Sequence, residues 1–371
     1  MQTSKRPFSR VGIIGGGQLG QMMTFSAKEI GCEVTVLDPT PNCPAGQVAD
    51  KQIIAAYDDR LALQQLAQQV DYITYEFENV NQEALTQLDS KKIPQGIDLL
   101  RITSNRLFEK SFIAEIAPVT EFRAMNSVQE LKAVVKALGL PGILKTTTSG
   151  YDGHGQYDLN YEEDIEKLEK NWPNREMIYE KRINFTHELS VMVARGGDGA
   201  IHTWPVAENI HEHHILKDSI VPARVPAKIQ EKIQAIAIKI CKAFGVAGVL
   251  GIEFFYDANS KQIWVNEIAP RPHNSGHYTI EACNLSQFAG HILSIMGQAL
   301  PEIKLFDTAR MVNLLGDELL SGKKAWQQHP DWYFHDYGKS EMRLHRKMGH
   351  ITAVGAQAVE TLTEFSRTLE E

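Results

Sequence analysis

Over the first hundred residues, short apolar runs alternate with stretches whose apolar positions recur every three or four residues. Residues 11–14, 34–37 and 72–75 predict strands, and residues 18–30 and 60–69 predict helices between them. This βαβαβ order predicts a parallel sheet with helices on both faces. Residues 128–138 have helical spacing that stops at Gly139, with Pro141 just beyond. Residues 143–145, 177–179 and 189–194 predict strands, 228–244 a long amphipathic helix, and 249–256 with 263–268 a hairpin. After Pro301 the pattern weakens into short strands at 311–315, 332–335 and 350–354. An α/β start followed by an α+β region is expected.

Composition bounds this picture. A chain of 371 residues predicts two or three domains, at roughly 100–200 residues each. A hydrophobic content of 43% with 23% charged residues permits a sizeable core. The net charge of −8 argues against bulk binding to nucleic acid or an acidic membrane, and leaves room for a local cationic pocket. Cys32, Cys43, Cys241 and Cys283 lack CxxC spacing and read as reduced thiols. Lys5 and Arg6 precede an apolar stretch that glycines interrupt at once, which fits a strand and turn better than a leader. No run is long enough to span a bilayer, so the expected location is cytoplasmic.

Three segments carry chemistry. Gly15, Gly17 and Gly20 form GxGxxG between a strand and a helix, and Asp38 closes the next strand where an acid could hold a ribose. Alone this suggests a dinucleotide-binding dehydrogenase, although the same glycines serve any tight βα turn. Lys145 ends a strand and precedes residues 146–156, rich in glycine and hydroxyls, the groups that hold a polyphosphate and can close over it. The Walker pattern GxxxxGK[ST] is absent. Glu180, Lys181, Arg182 and Ile183 then read as a linker beside a nucleotide, with Glu188 placed to accept from ribose hydroxyls.

The third segment is the hairpin. If Asp257 pairs with Ile263, Phe255 faces Val265 and Glu253 faces Glu267, their Cβ atoms about 4.5–5.5 Å apart. Two such carboxylates repel unless a cation lies between them, and oxygen ligands suit Mg²⁺, which fills its shell with water and phosphate. Ile252, Phe254, Tyr256, Trp264 and Ile268 are then expected on the core face. The chain leaves the hairpin through Arg271, a planar fork for an anion, and through the neutral donors His273, Asn274 and Ser275. His213 and His214 are adjacent and share no face, so with His211 they read as a solvated loop; His211 alone is kept as a nucleotide-site candidate.

With these residues in view, the chain resembles the ATP-grasp superfamily, and within it the 5-(carboxyamino)imidazole ribonucleotide synthase family, the ATPase-subunit type of phosphoribosylaminoimidazole carboxylase. GIIGGGQLGQMM, VLDPTPNCPA, YEFENV, SGYDGHGQ, NEIAPRPHNSGHYT and HRKMGHI carry the resemblance, from residue 12 to residue 351. It implies a three-domain fold with α/β and α+β parts. A Rossmann-like preATP-grasp domain would occupy 1–104, a linker and lid 105–186, a catalytic domain 187–300 and a small β-rich appendage 301–371. It implies ATP-dependent carboxylation of 5-aminoimidazole ribonucleotide by bicarbonate in purine (IMP) biosynthesis, by a homodimer that passes its product to a mutase.

Residue by residue, the resemblance implies nucleotide binding by Arg106, Lys145, Gly150, Tyr151, Asp152, Gly153, His154, Gly155, Gln156, Glu180, Lys181, Arg182, Ile183, Glu188, His211, Asn266 and Glu267. Two Mg²⁺ ions would sit at Glu253 and Glu267. The ribotide and carboxyl donor would meet Gly17, Gln18, Leu19, Glu76, Tyr151, Asp152, Arg271, His273, Asn274, Ser275, Arg346 and Lys347, with Lys145, Arg271, His273 and Asn274 as catalytic candidates. The chain departs from the family at His154, usually basic, at Thr147, Thr148 and Ser149, and at Leu344 and His345 in place of Pro and Gly. A different acceptor such as formate or biotin is the alternative within the superfamily, and a non-catalytic nucleotide sensor the alternative outside it.

Overall fold

The computed structural model describes residues 9–148, 155–173 and 175–369. Gly150, Tyr151, Asp152, Gly153 and His154 lie outside the described residues. Three sheets organise the rest.

In the first, Lys51–Ile53, Glu33–Leu37, Arg10–Ile14 and Tyr72–Tyr75 lie side by side in that order, all parallel. Alternation along Arg10–Ile14 sends Val11 and Ile13 to Met22, Met23 and Ala27 of helix Gln18–Glu29. Ile14, on the opposite face, packs with Leu63, Leu66 and Ala67 of helix Arg60–Gln69. Asp59 caps that second helix by accepting from the N–H groups of Leu61 and Ala62, a contact worth about 1 kcal/mol.

The second sheet is antiparallel, in the order Phe122–Met125, Met177–Lys181, Gly142–Thr146, Gln156–Leu159. Helices Val128–Leu138 and Glu162–Lys170 cover it through Leu131, Val135, Ile165 and Leu168. Gly139 ends the first of them at φ +81°, a backbone conformation that favours glycine, and donates its N–H to Val135.

The third sheet runs Gln262–Ala269, Gly248–Asp257, His187–Arg195, Ala207–Glu212, Ile215–Val221, Ala309–Leu315, Lys347–Val354, Trp332–Asp336, with Ile201–Thr203 also paired to His187–Arg195. Residues after Pro301 therefore extend the central sheet through the pairing of Ala309–Leu315 with Ile215–Val221. Helices Glu318–Trp326 and Ala356–Thr368 accompany these strands. The first buries only Leu319 and Gly322, which gives it a weak apolar signal, while the second buries Ala358, Leu362 and Ser366 and packs Val359 and Phe365 against the same core. Helix Ala227–Phe244 seals the main core with Ile229, Ile233, Ala237 and Ile240 against Val191, Val193, Ile252 and Phe254.

The hairpin register corrects the expected one. At the turn Asp257 pairs with Gln262, Phe255 with Trp264 and Phe254 with Val265; at the base Ile252 pairs with Ile268 and Gly251 with Ala269. The extra residue is absorbed in between, where Glu253 stands opposite both Asn266 and Glu267, a β-bulge. Glu253 thus meets Glu267 through a bulge and not through a straight ladder. Val265 takes the core position at 1% exposure and Trp264 is left half-buried, opposite to the expectation for Trp264.

Candidate active site

Helix Arg106–Ala114 starts at Asn105, whose side-chain oxygen accepts from the N–H groups of Leu107 and Phe108. Arg106, Glu109 and Lys110 then fall on one helical face. That face grips the bulge residue by residue. Lys110 Nζ donates to the Asn266 carbonyl at 2.9 Å, Arg106 lies 3.3 Å from Glu267 Oε2, and Glu109 accepts the Ile268 N–H at 2.6 Å. Burial, followed by the charge of Glu267, pushes Glu109 up to about 8, so it carries its proton at neutral pH.

Lys110 also reaches Glu180 Oε2 at 3.2 Å, and Lys145 meets the same oxygen at 3.1 Å. Burial alone would raise Glu180, but Lys110, Lys145 and Arg106 outweigh it and hold the carboxylate down to about 2. Lys145 is lowered by burial, with Lys110 and Arg106 adding to the effect. Around the bulge, burial and then the charge of Glu267 raise Glu253. For Glu267 the positive charge of Arg106 and Lys145 overcomes burial, and its pKa is lowered. Glu253 has Asn266 Nδ2 at 3.5 Å and His273 Nε2 at 3.6 Å. Among the described residues, no group of three or more His, Cys, Asp or Glu side chains is disposed to hold a metal by itself.

Two strands away, His211 Nδ1 and Glu188 Oε2 are 2.5 Å apart. Burial lowers His211, and Glu188 more than reverses it, so its pKa is raised above 6.5. The pairing is therefore complete below pH 6.5 and is lost as pH rises through the folded-state value. In an NMR titration, the His211 ring should turn over above pH 6.5, and Glu188→Gln should bring the midpoint down.

On the exit segment, Arg271 pairs with Glu78 at 2.7 Å. His273 Nδ1 lies 2.8 Å from the Ser275 hydroxyl, and burial followed by the Arg271 charge keeps the ring neutral. Asn274 exchanges two amide hydrogen bonds with Asn313, at 3.0 and 2.8 Å.

These parts line one cleft of about 880 Å³. It gathers Gln18, Leu19, Glu76, Arg106, Lys145, Gln156, Glu180, Lys181, Arg182, Ile183, Glu188, His211, Glu253, Asn266, Glu267, Arg271, His273, Asn274, Arg346 and Lys347. Three further expected residues, among those described, are not part of this lining. Gly17 gives its N–H to Glu76, Ser275 is fully buried below His273, and the Gly155 carbonyl accepts from the Thr146 N–H. Glu78, Glu109, Phe185, His214, Phe255, Lys339 and His345 also line the cleft; of these, His214 is expected in a solvated loop, Phe255 and His345 are noted in the sequence without a site role, and Glu78, Glu109, Phe185 and Lys339 carry no sequence expectation, nor does Lys110. Phe185 and Phe255 stack at 4.4 Å, a pairing that spacing alone does not announce. For Glu109 and Lys110 a usable signal existed, their helical spacing from Arg106.

The glycine turn serves another purpose than a pyrophosphate. Gly17 and Gly20 donate their N–H groups to the Glu76 carboxylate at 2.6 and 2.8 Å, and Gly16 donates to Asp38 at 2.7 Å. Asp38 also accepts from the Tyr57 hydroxyl at 2.6 Å. A Cβ on Gly15 would run into the Glu76 side chain. The helix N-terminus is thus satisfied by a carboxylate of the protein itself. NADH titrated into the protein should give no fluorescence change.

Residues 8–98 match the ribonucleotide synthetase preATP-grasp domain, 111–288 the ATP-grasp domain and 309–364 the phosphoribosylaminoimidazole carboxylase C-terminal domain. N5-carboxyaminoimidazole ribonucleotide synthase of Staphylococcus aureus (strain COL) is 44% identical over 347 residues, 93% of this chain and 92% of that one. The chain belongs to the N5-carboxyaminoimidazole ribonucleotide synthase family. As a member of that family it is an ATP-dependent ligase of the ATP-grasp type, acting in purine biosynthesis. A solved ADP complex of an N5-carboxyaminoimidazole ribonucleotide synthetase superposes with a TM-score of 0.93 at 42% identity, covering 100% of this chain and 98% of that one. The Aspergillus clavatus synthase, solved with ADP and 5-aminoimidazole ribonucleotide, gives 0.90 at 33% identity, covering 97% and 98%. In this family the dinucleotide reading of the glycine turn has no place.

Proposed function

We propose that this cleft joins bicarbonate to the exocyclic amine of 5-aminoimidazole ribonucleotide, with ATP converted to ADP and phosphate. The observation that carries the proposal is the bulge. It sets Glu253, Asn266 and Glu267 beside Arg106, with His273 3.6 Å from Glu253 and with Arg271 and Asn274 lining the same cleft. Bicarbonate is a poor electrophile because its leaving group would be hydroxide. Transfer of the γ-phosphoryl group onto a bicarbonate oxygen gives carboxyphosphate, and attack by the amine then expels phosphate.

The residues present suit that sequence. Lys145 and Arg106 are partly buried cations that suit the equatorial phosphate oxygens. Glu253 and Glu267, one raised and one lowered in pKa, fit Mg²⁺ because two carboxylates are too few for a protein cage and leave positions for water and phosphate. Magnesium, when bound, would spread the charge of the transferring phosphoryl group. The backbone of Glu180 to Ile183 and the Phe185–Phe255 wall suit an adenine, and the Glu188–His211 pair a ribose. Arg271, Arg346 and Lys347 suit the ribotide phosphate, and neutral His273 and Asn274, which line the same cleft, suit the neighbourhood of the reacting carbon. The carbamate product calls for a mutase that moves its carboxyl group, and a homodimer belongs to the same reading. Among the described residues no helix is long and apolar enough to cross a membrane.

ADP formation measured with ribotide and bicarbonate each omitted in turn tests the proposal. Turnover should need both, and formate or biotin should replace neither. Equal ADP formation without the ribotide would overturn it.

A further inference from the structure

Behind the cleft wall, buried polar groups form a single chain of hydrogen bonds whose direction is set at both ends. The Val249 N–H donates to His291 Nδ1 at 3.0 Å, so the neutral ring carries its proton on Nε2. Burial keeps His291 neutral, pushing its pKa down to about 3. Nε2 lies 2.8 Å from the Thr74 hydroxyl, which donates in turn to Gln95 Oε1 at 2.6 Å. Gln95 Nε2 then donates to the Pro270 carbonyl at 2.8 Å. A carbonyl only accepts, so the amide orientation follows. Thr74, Gln95 and His291 have no exposed surface. Gly248, at φ +98°, leaves room for the arrangement, since a Cβ there would lie 3.0 Å from Gln95 Cγ and 3.2 Å from His291 Cε1.

The chain of bonds links distant parts of the fold. Thr74 lies in strand Tyr72–Tyr75 of the first sheet, and Gln95 lies just before helix Ile97–Thr103. His291 sits in helix Gln287–Ile295, and Pro270 follows strand Gln262–Ala269. The next residue is Arg271, whose guanidinium is held by Glu78, just beyond the end of the Thr74 strand. The N-terminal region thus grips the Arg271 segment twice, at its backbone through Gln95 and at its charged head through Glu78. Most of the nucleotide end hangs on other elements, although Glu253 shares strand Gly248–Asp257 with Val249 and Glu267 lies three residues before Pro270. Arg106 is on helix Arg106–Ala114, Lys145 and Glu180 are in the second sheet, and Glu188 and His211 are on central strands; none takes part in this chain of bonds.

We propose that Gln95, oriented by Thr74 and His291, is a positioning residue for the acceptor end of the cleft. It fixes the Pro270 carbonyl and through it the direction in which Arg271 presents its guanidinium to an anionic ribotide. This rests on the reading that Arg271 meets the ribotide.

Steady-state kinetics of Gln95→Met, Thr74→Val, Thr74→Ser and Arg271→Ala, with ADP binding measured by calorimetry, test it. Gln95→Met should raise the KM for the ribotide about tenfold, while the KM for ATP and the Kd for ADP stay within about twofold. Thr74→Val should raise the ribotide KM in the same direction, and Thr74→Ser, which keeps the hydroxyl, should restore it. An unchanged ribotide KM in Gln95→Met, or a parallel rise for ATP, overturns the proposal. If Gln95→Met does not fold, the Thr74 pair decides, and equal ribotide KM values in Val and Ser overturn it. Arg271→Ala separates the two levels. A raised ribotide KM there with none in Gln95→Met sinks the positioning role alone, and no rise in Arg271→Ala sinks the reading of the cleft together with it.

Discussion

Glu267→Gln is expected to lower kcat by at least about 10²-fold while the fold stays intact, because catalysis of phosphoryl transfer is largely electrostatic and each factor of ten corresponds to about 1.4 kcal/mol. Glu267 is the member of the bulge pair that Arg106 and Lys145 keep ionised, so it is the ready anionic ligand of the site. The amide keeps the shape and one oxygen but gives up the charge. The magnesium concentration for half-maximal rate should rise along with the fall in kcat, and circular dichroism should show an unchanged fold. Without metal, Glu253→Gln should change the charge of the site less than Glu267→Gln does, since burial and the Glu267 charge already raise the Glu253 pKa. Full activity in Glu267→Gln would remove the hairpin from the chemistry.

Glu180→Gln carries the largest expected effect on stability. One carboxylate oxygen is shared by Lys110 and Lys145, and the Lys110 side chain is only 3% exposed. Removing one partner of a buried ion pair costs roughly 3–5 kcal/mol, because the remaining charge is left in a medium that solvates it poorly. The pKa of Glu180 points to a similar size. It falls from an ordinary 4.5 to about 2, which at 1.36 kcal/mol per unit is about 3 kcal/mol. Because the folded value is the lower one, this stability is present above pH 4.5 and disappears as pH falls through about 2. Urea unfolding at pH 7 should therefore show a clear loss in Glu180→Gln, and the loss should shrink in acid. A midpoint equal to that of the parent protein would mean that Lys110 and Lys145 find other partners.

Much of this site was legible before the fold was known, for a physical reason. Glu253, Asn266, Glu267, Arg271, His273 and Asn274 lie close together in the chain, so the turn between two apolar arms brings them to one place. The register was not legible. A bulge shifts the pairing by one residue between the turn and the base, and apolar alternation tolerates the choice of Val265 over Trp264 for the core. Lys110 and Glu109 escaped notice because charged residues on a helix read as solvated until packing buries them against the hairpin. The Thr74–Gln95–His291 chain spans 217 positions between its first and last members, and nothing local marks it. The glycine turn was visible at once but ambiguous, because GxGxxG states only that backbone must come close to something. Here that something is Glu76.

On this reading, phosphoryl transfer to bicarbonate, in the cleft built on the Glu253–Glu267 bulge, activates it for attack by the ribotide amine. Turnover with freshly dissolved ¹⁸O-bicarbonate, followed by mass spectrometry of the inorganic phosphate, tests it most directly. One oxygen of each phosphate released should come from bicarbonate, and only when ribotide, ATP and magnesium are all present. Phosphate carrying no bicarbonate oxygen during ribotide-dependent turnover would contradict it.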